Sequence, residues 1–354
     1  MRVTGSGYDG MMPGPELRVK RGETFSIRVV NELEEPTAVH WHGVRLVNAM
    51  DGAPPLTQPP IAPGASFDYR FVAPDAGTFW YHPPLWKNTN LYGALIVEEP
   101  APVDADTETT LVFAAAKNGD LFTVNGDDMQ VGEVIATQRV RLRLINACAT
   151  KILRLHVANL RTLVMAVDGQ PAQPFTAREG DLTLGPGNRM DVFVDCRGEG
   201  GSWLITMQNT DGINAPVAKI VAAHAANGTT RRGDPKPLPS NPLPERMDFR
   251  DAVRIEAAVG RERAVKSETP LFTVRRGRTV MLGLSNPTAA NAYMHLHGHS
   301  FRLLDALDDG WKPFWLDTMP IAPGGLARIA FVADNPGKWL IEGLYRPQVW
   351  FEVT

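Results

Sequence analysis

The sequence predicts an all-β chain of three consecutive β-sandwich or barrel domains of similar design. Three observations carry this expectation. Short runs of alternating apolar and polar residues recur between turn residues, with no convincing amphipathic helix between them. The 354 residues include 32 Gly and 29 Pro, as a turn-rich chain requires. Phrases of the N-terminal third also return in the C-terminal third, which marks an internal repeat.

The first domain is placed at residues 1–100. Pro13-Gly14-Pro15 reads as a turn ahead of Glu16-Leu17-Arg18-Val19, and Arg21-Gly22-Glu23 as the turn into Phe25-Ser26-Ile27-Arg28-Val29-Val30. Pro63-Gly64 leads into Phe67-Asp68-Tyr69-Arg70-Phe71, whose alternation sets one face inward. Leu91 to Val97 reads as a buried strand.

The second domain, 101–226, begins at Pro100-Ala101-Pro102. It carries the alternating runs Val140 to Ile145 and Met190 to Val194, with Pro186-Gly187 as the turn after Leu182-Thr183-Leu184. Its histidines, His156 and His224, belong to no cluster, so this domain reads as a structural spacer. Residues 227–248 contain Lys236-Pro237-Leu238-Pro239-Ser240-Asn241-Pro242 and read as a linker.

The third domain, 249–354, carries the repeat. Val274 to Leu284 echoes Leu17 to Ile27. Ile61-Ala62-Pro63-Gly64 returns as Ile321-Ala322-Pro323-Gly324, and Phe71 to Trp80 returns as Phe331 to Trp339.

Composition sets broad limits. Hydrophobic residues make up 44% and charged residues 21%, ordinary for a chain with full cores. A net charge of −3 gives no reason to expect nucleic acid or an anionic membrane as partner. No run approaches the roughly 18 to 20 apolar residues of a membrane span. Met1 to Gly7 has no apolar signal core. Cys148 and Cys196 are the two cysteines; a bond between them stays open, but two make no disulfide scaffold.

The chemistry lies in the histidines. Six of eight fall in three short motifs: His40-Trp41-His42-Gly43, Trp80-Tyr81-His82, and His295-Leu296-His297-Gly298-His299. On a strand, the two imidazoles of a His-x-His pair point to the same face. Two such pairs from opposite ends of the chain can converge into a four-nitrogen cage. Imidazole-rich sites suit copper, zinc, iron or nickel over calcium or magnesium.

These motifs, with Met50-Asp51-Gly52, Phe122-Thr123-Val124-Asn125-Gly126, Arg143-Leu144-Ile145-Asn146-Ala147 and Asp334-Asn335-Pro336-Gly337-Lys338-Trp339, resemble the multicopper oxidase family of laccases, ascorbate oxidase and bilirubin oxidase. The resemblance spans essentially the whole chain. It implies three cupredoxin-like Greek-key domains, with copper in domain 3 and between domains 1 and 3.

The ligand set that the resemblance implies is incomplete here. The family's blue (type 1) copper takes a histidine three residues before the His-Leu-His-Gly-His run, where Ala292 stands. Its cysteine lies in a His-Cys-His motif that falls on Glu342-Gly343-Leu344. Without a thiolate and its imidazoles a blue site cannot form, so no type 1 copper is expected.

His40 and His295 match the family's type 2 pair. His42, His82 and His297 match three of the six type 3 histidines; Pro84, Glu342 and Leu344 hold the other three places. Glu342 is kept as a candidate oxygen ligand. Asp51 matches the carboxylate that assists proton movement near the type 2 copper, and Arg346 holds the place of the family's second acidic helper. His299, which is no ligand in the family, reads as structural. Met294 reads as core, Trp86 and Trp350 as space-filling, and the cysteines as buried thiols.

The implied cofactor is copper: a type 2-like ion, with one or two further coppers left open. The leading expectation is an oxidoreductase relative that takes electrons from a small-molecule reductant, with O₂ as acceptor, and lacks normal laccase turnover. Two alternatives stand beside it. One is a non-enzymatic scaffold of the FtsP (SufI) kind with a protein partner. The other is a copper sequestration or delivery protein. The resemblance implies a periplasmic or secreted location, with a cytoplasmic one left open.

Overall fold

The computed structural model describes residues 1–84, 91–115, 122–128, 132–136, 139–196, 201–208, 214–222, 233–259, 261–262, 268–304, 311–343, 345–346 and 349–354. His224, Trp86 and Leu344, named above, lie outside them, as does the side chain of Arg346. The fold is all-β, and the sheets fall into three cupredoxin-like groups along the chain.

The N-terminal group pairs two four-stranded sheets. One runs Gly7–Tyr8, Arg2–Thr4, Thr24–Asn31, Ser66–Val72; the other runs Gly14–Lys20, Gly93–Glu98, Gly77–His82, His40–His42. Gly14 and Pro15, read above as turn, already belong to a strand, with a register shift between Gly14 and Leu17 absorbing the proline.

The C-terminal group repeats this order. Its second sheet runs Thr273–Val274, Val349–Val353, Gly337–Glu342, Ala292–Leu296, Thr318–Ile321. Strand Ala292–Leu296 thus holds the place that His40–His42 holds in the first group, which is why the two His-x-His pairs are structural counterparts. The middle group is larger, with a seven-stranded and a five-stranded sheet.

Packing then brings the two pairs together. Trp41, Phe79 and Leu95 of the first group share one apolar core with Leu296, Trp339 and Phe351 of the third, whereas Leu142, Val192 and Ile220 belong to a separate core in the middle. Burial of a large apolar side chain stabilises by roughly 1.5–3 kcal/mol, so a core continuous across the first and third groups holds their seam shut.

Residues 233–248 are tied down. Leu238 packs with Leu163, Met165 and Phe193. Asn241 receives Ala76 N–H at 2.9 Å and donates to the carbonyl of Ala76 at 2.9 Å and to Gln170 Oε1 at 2.8 Å. This part of the expected linker is a fixed strap. Cys148 is buried and Cys196 half-buried; both are free thiols, and burial pushes each up to about 12.

Candidate metal centre

Strand geometry builds the site. His40 and His42 share one face while Trp41 points the opposite way into the core, and His82 lies directly across from His40 in register. From the third group, His295 pairs with Glu342 across the sheet, Leu296 enters the core, and His297 follows on the His295 side. All five histidines, Asp51 and Glu342 are buried. Across the seam the rings stack in two pairs, His42 on His295 at 3.6 Å between centroids and His40 on His297 at 3.9 Å.

Two nitrogen pairs face each other: His40 Nε2 and His295 Nε2 at 3.1 Å, and His42 Nδ1 and His82 Nε2 at 3.1 Å. Their outer nitrogens are held. His40 Nδ1 donates to the carbonyl of Asp51 at 2.8 Å, His295 Nδ1 to that of Asp317 at 3.0 Å, and His82 Nδ1 to that of Pro83 at 2.7 Å. A carbonyl only accepts, so each of these rings carries its hydrogen outward. The inner Nε2 atoms of His40 and His295 are therefore two lone pairs aimed at one another, an arrangement that a cation between them relieves. His297 adds a buried Nε2 with no hydrogen-bond partner, 3.6 Å from Glu342 Oε1. These residues fit a metal: imidazoles oriented by carbonyls through their second nitrogen are the usual form of a metal-binding histidine.

Among the described residues, three groups place a donor atom of each member within 4.8 Å of the others: His40, His295 and His297; His40, His42 and His82; and His42, His295 and Asp317. The five histidines expected from the sequence all come together.

The electrostatics favour neutral imidazole at most positions, the form that binds metal. Burial lowers His42 well below its ordinary pKa, with repulsion from His295 adding to it. Burial takes His82 to about 3, with His40 contributing, and His295 to about 4 despite the pull of Asp317. His297 is the exception. Burial lowers it, but Asp51, 2.9 Å from Nδ1, and Glu342 together raise it to about 10. Burial raises the carboxyls of Asp51 and Glu342, yet His297 with its neighbours holds both below their ordinary range.

Three family models, each described as multicopper oxidase, match residues 1–102, 98–232 and 237–343. Lac15, from a marine microbial metagenome, has a solved structure that is 33% identical. It superposes with a TM-score of 0.85 over 98% of this chain and 93% of that one. The chain belongs to the multicopper oxidase family. The solved multi-copper oxidase from Pseudomonas thermotolerans is 30% identical, with a TM-score of 0.85 and the same coverage of 98% and 93%. Multicopper oxidase MmcO of Mycobacterium tuberculosis is 29% identical over 94% of this chain and 79% of its own length. Copper is the metal this family uses, and the histidine groups are compatible with it.

Other expected residues fall as follows. Ala292 is half-buried, at the start of its strand, and Pro84 stands two residues past His82. Gly343 has a φ of 85°, and a Cβ there would lie 1.8 Å from the carbonyl oxygen of Tyr293. His299 is buried in an aromatic nest of Phe331, Trp339 and Phe351, with Nδ1 3.2 Å from the carbonyl of His297. Met294 is fully buried, and Trp350 is covered by the Lys338 ammonium. His156 pairs with Asp181 at 2.8 Å on the surface, away from the site.

The sequence reading missed Asp317, Thr318 and Arg189. Thr318 Oγ1 lies 2.8 Å from His42 Nε2 and 2.9 Å from His295 Nδ1, and Asp317 is held by Arg189 of the middle group. Leu316-Asp317-Thr318-Met319 carries no histidine or cysteine spacing that would have flagged it.

Proposed function

We propose that this multicopper oxidase relative is a copper-binding oxidoreductase that works without a blue copper. Its site is a type 2-like centre on His40 and His295, extended by His42, His82 and His297 toward a partial type 3 site, with Glu342 as an oxygen donor. The observation that carries the reading is the facing of two bare Nε2 atoms, His40 and His295, at 3.1 Å across the domain seam.

The absence of a blue centre rests on chemistry and on space. Ala292 and Gly343 offer neither imidazole nor thiolate, and a side chain at Gly343 would collide with the backbone at Tyr293. Copper, when bound, supplies a one-electron couple. With no thiolate to relay electrons, a small-molecule reductant must deliver them directly to the histidine site, and O₂ is the expected acceptor. Asp51 orients His297 and His40 and, as an ionised carboxylate, favours a proton on His297. Ordinary four-electron laccase turnover is not expected.

Three further assignments follow from the same reading. The domains are 1–100, 101–226 and 249–354, joined by 227–248. The protein works outside the cytoplasm, as its lineage suggests. No nucleic acid or membrane span has a part in it.

The test is metal content after copper loading and desalting, with an EPR spectrum. At least one tightly held Cu(II) with a type 2 signal, lost in His295→Ala, is expected. Strong blue absorption with phenol oxidation would overturn the reading. No retained copper would move the protein to a scaffold role with a protein partner, and copper without turnover would make it a carrier.

A further inference from the structure

We propose that Arg189, on a strand of the middle domain, is a positioning residue for the metal centre: through Asp317 and Thr318 it sets which ring nitrogen of His42 carries hydrogen. The consequence for copper rests on the function proposed above. The tautomer itself is a property of the protein alone.

Among the described histidines of the cage, His40, His82 and His295 have tautomers fixed by backbone carbonyls, and that of His297 is fixed by Asp51. The outer nitrogen of His42 instead meets a hydroxyl, Thr318 Oγ1, at 2.8 Å. A hydroxyl can donate or accept, so something must decide.

The decision is traced back to a guanidinium. Arg189 is fully buried and grips Asp317 with both fork nitrogens, Nη1 to Oδ1 at 2.8 Å and Nη2 to Oδ2 at 2.5 Å. It also donates to the carbonyls of Gly187 at 2.9 Å and Thr78 at 3.3 Å, so one side chain touches all three domains. A carboxylate in a bidentate guanidinium pair is ionised and only accepts. Thr318 therefore gives its single hydrogen to Asp317 Oδ1, at 2.8 Å. Its oxygen is left as an acceptor for both His42 Nε2 and His295 Nδ1. His42 must carry hydrogen on Nε2, which leaves the Nδ1 lone pair facing His82.

The motif glycine completes the device. Gly43 has a φ of 84°, and a Cβ there would lie 2.2 Å from Arg189 Nη2 and 2.5 Å from Asp317 Oδ2. The ion pair packs directly on the residue after His42, where any side chain would displace it. In this account the middle domain contributes to the site, and it is more than a spacer.

The test uses the metal-free full chain with ¹⁵N-labelled histidine, in which two-bond ¹H–¹⁵N spectra distinguish the tautomers. Wild type should show His42 as the Nε2–H form. Thr318→Val, which keeps the shape and removes the oxygen, should abolish that fixed pattern; Thr318→Ser should retain it. Arg189→Lys keeps the charge and loses the fork, and should leave a mixture. If the arginine variant does not fold, the two threonine variants decide the matter. Copper affinity, read by chelator competition, should fall about 10- to 100-fold in Thr318→Val. His42 found as Nδ1–H in wild type, or unchanged in Thr318→Val, would overturn the proposal. The expected tautomers in a protein that retains no copper would leave this positioning intact and sink the copper reading alone.

Discussion

His297 Nδ1 lies 2.9 Å from Asp51 Oδ2, a buried contact that joins the third domain to the first and gives this imidazole a charge state unlike its neighbours. The pair makes a pH prediction for the metal-free protein. The folded pKa of His297 is raised to about 10, above the ordinary value near 6.5. Its contribution to stability is therefore full below about pH 6.5 and is lost as pH rises toward about 10. Urea denaturation across that window should show stability falling with pH. Asp51→Asn should flatten the slope and cost about 1–3 kcal/mol at pH 7, since a buried charged partner is removed. An unchanged slope in the variant would show that Glu342 alone holds the proton on His297.

Much of this site was legible because strand periodicity is rigid. His40-Trp41-His42 and His295-Leu296-His297 each fix two imidazoles on one face whatever surrounds them, and the repeated phrases tie the two pairs to equivalent strands. Arg189, Asp317 and Thr318 were not legible. They act through hydrogen-bond direction across three sheets, and sequence spacing carries no trace of that. The fixed path of the strap was not legible for a related reason. Proline and polar content predicts an extended segment, and it cannot say that Asn241 finds a backbone partner at Ala76.

Glu342 faces His297 Nε2 at 3.6 Å, where the resemblance to the family calls for a histidine. As an oxygen donor it should give the copper-loaded protein a mixed nitrogen and oxygen ligand field. Glu342→Gln should shift the EPR parameters and weaken copper retention by about tenfold, the lower range for loss of a supporting group. Identical spectra from the two proteins would remove Glu342 from the ligand set.

The middle domain is bound to the first by a buried ionic knot. Asp191 accepts from Thr78 Oγ1 at 2.5 Å, from Arg141 Nη2 at 2.5 Å and from Arg143 Nη1 at 3.3 Å. Burial raises the Asp191 carboxyl, but Arg141 and Arg143 outweigh it and hold the pKa below the ordinary value. A carboxyl depressed in the folded state contributes stability above its unfolded pKa, near 3.9, and loses it as pH falls further. Acid unfolding should therefore begin below about pH 4. Asp191→Ala should cost about 3–5 kcal/mol at neutral pH by removing the buried carboxylate that Arg141 and Arg143 share. A loss under about 1 kcal/mol in denaturant titration would mean that Glu99 and Glu108 carry those arginines without it.

Asn241 makes the strap testable. Its amide gives and takes one hydrogen bond each at the backbone of Ala76 and donates a further one to Gln170, as a neighbouring strand would. Asn241→Ala strips both backbone groups of Ala76 of these partners beside the buried Asp75, which itself pairs with Arg45 at 2.7 Å. Each unsatisfied buried group costs about 1–3 kcal/mol. The segment is also held by Arg45 through the carbonyl of Pro242 and by Arg21 through that of Ser240. Loss of Asn241 should therefore loosen it locally and leave the three domains folded. Limited proteolysis should reveal this as faster cleavage within 233–248, with thermal unfolding of the remainder little changed. Equal cleavage rates in wild type and variant would mean that Leu238 and the two arginines suffice to hold the strap in place.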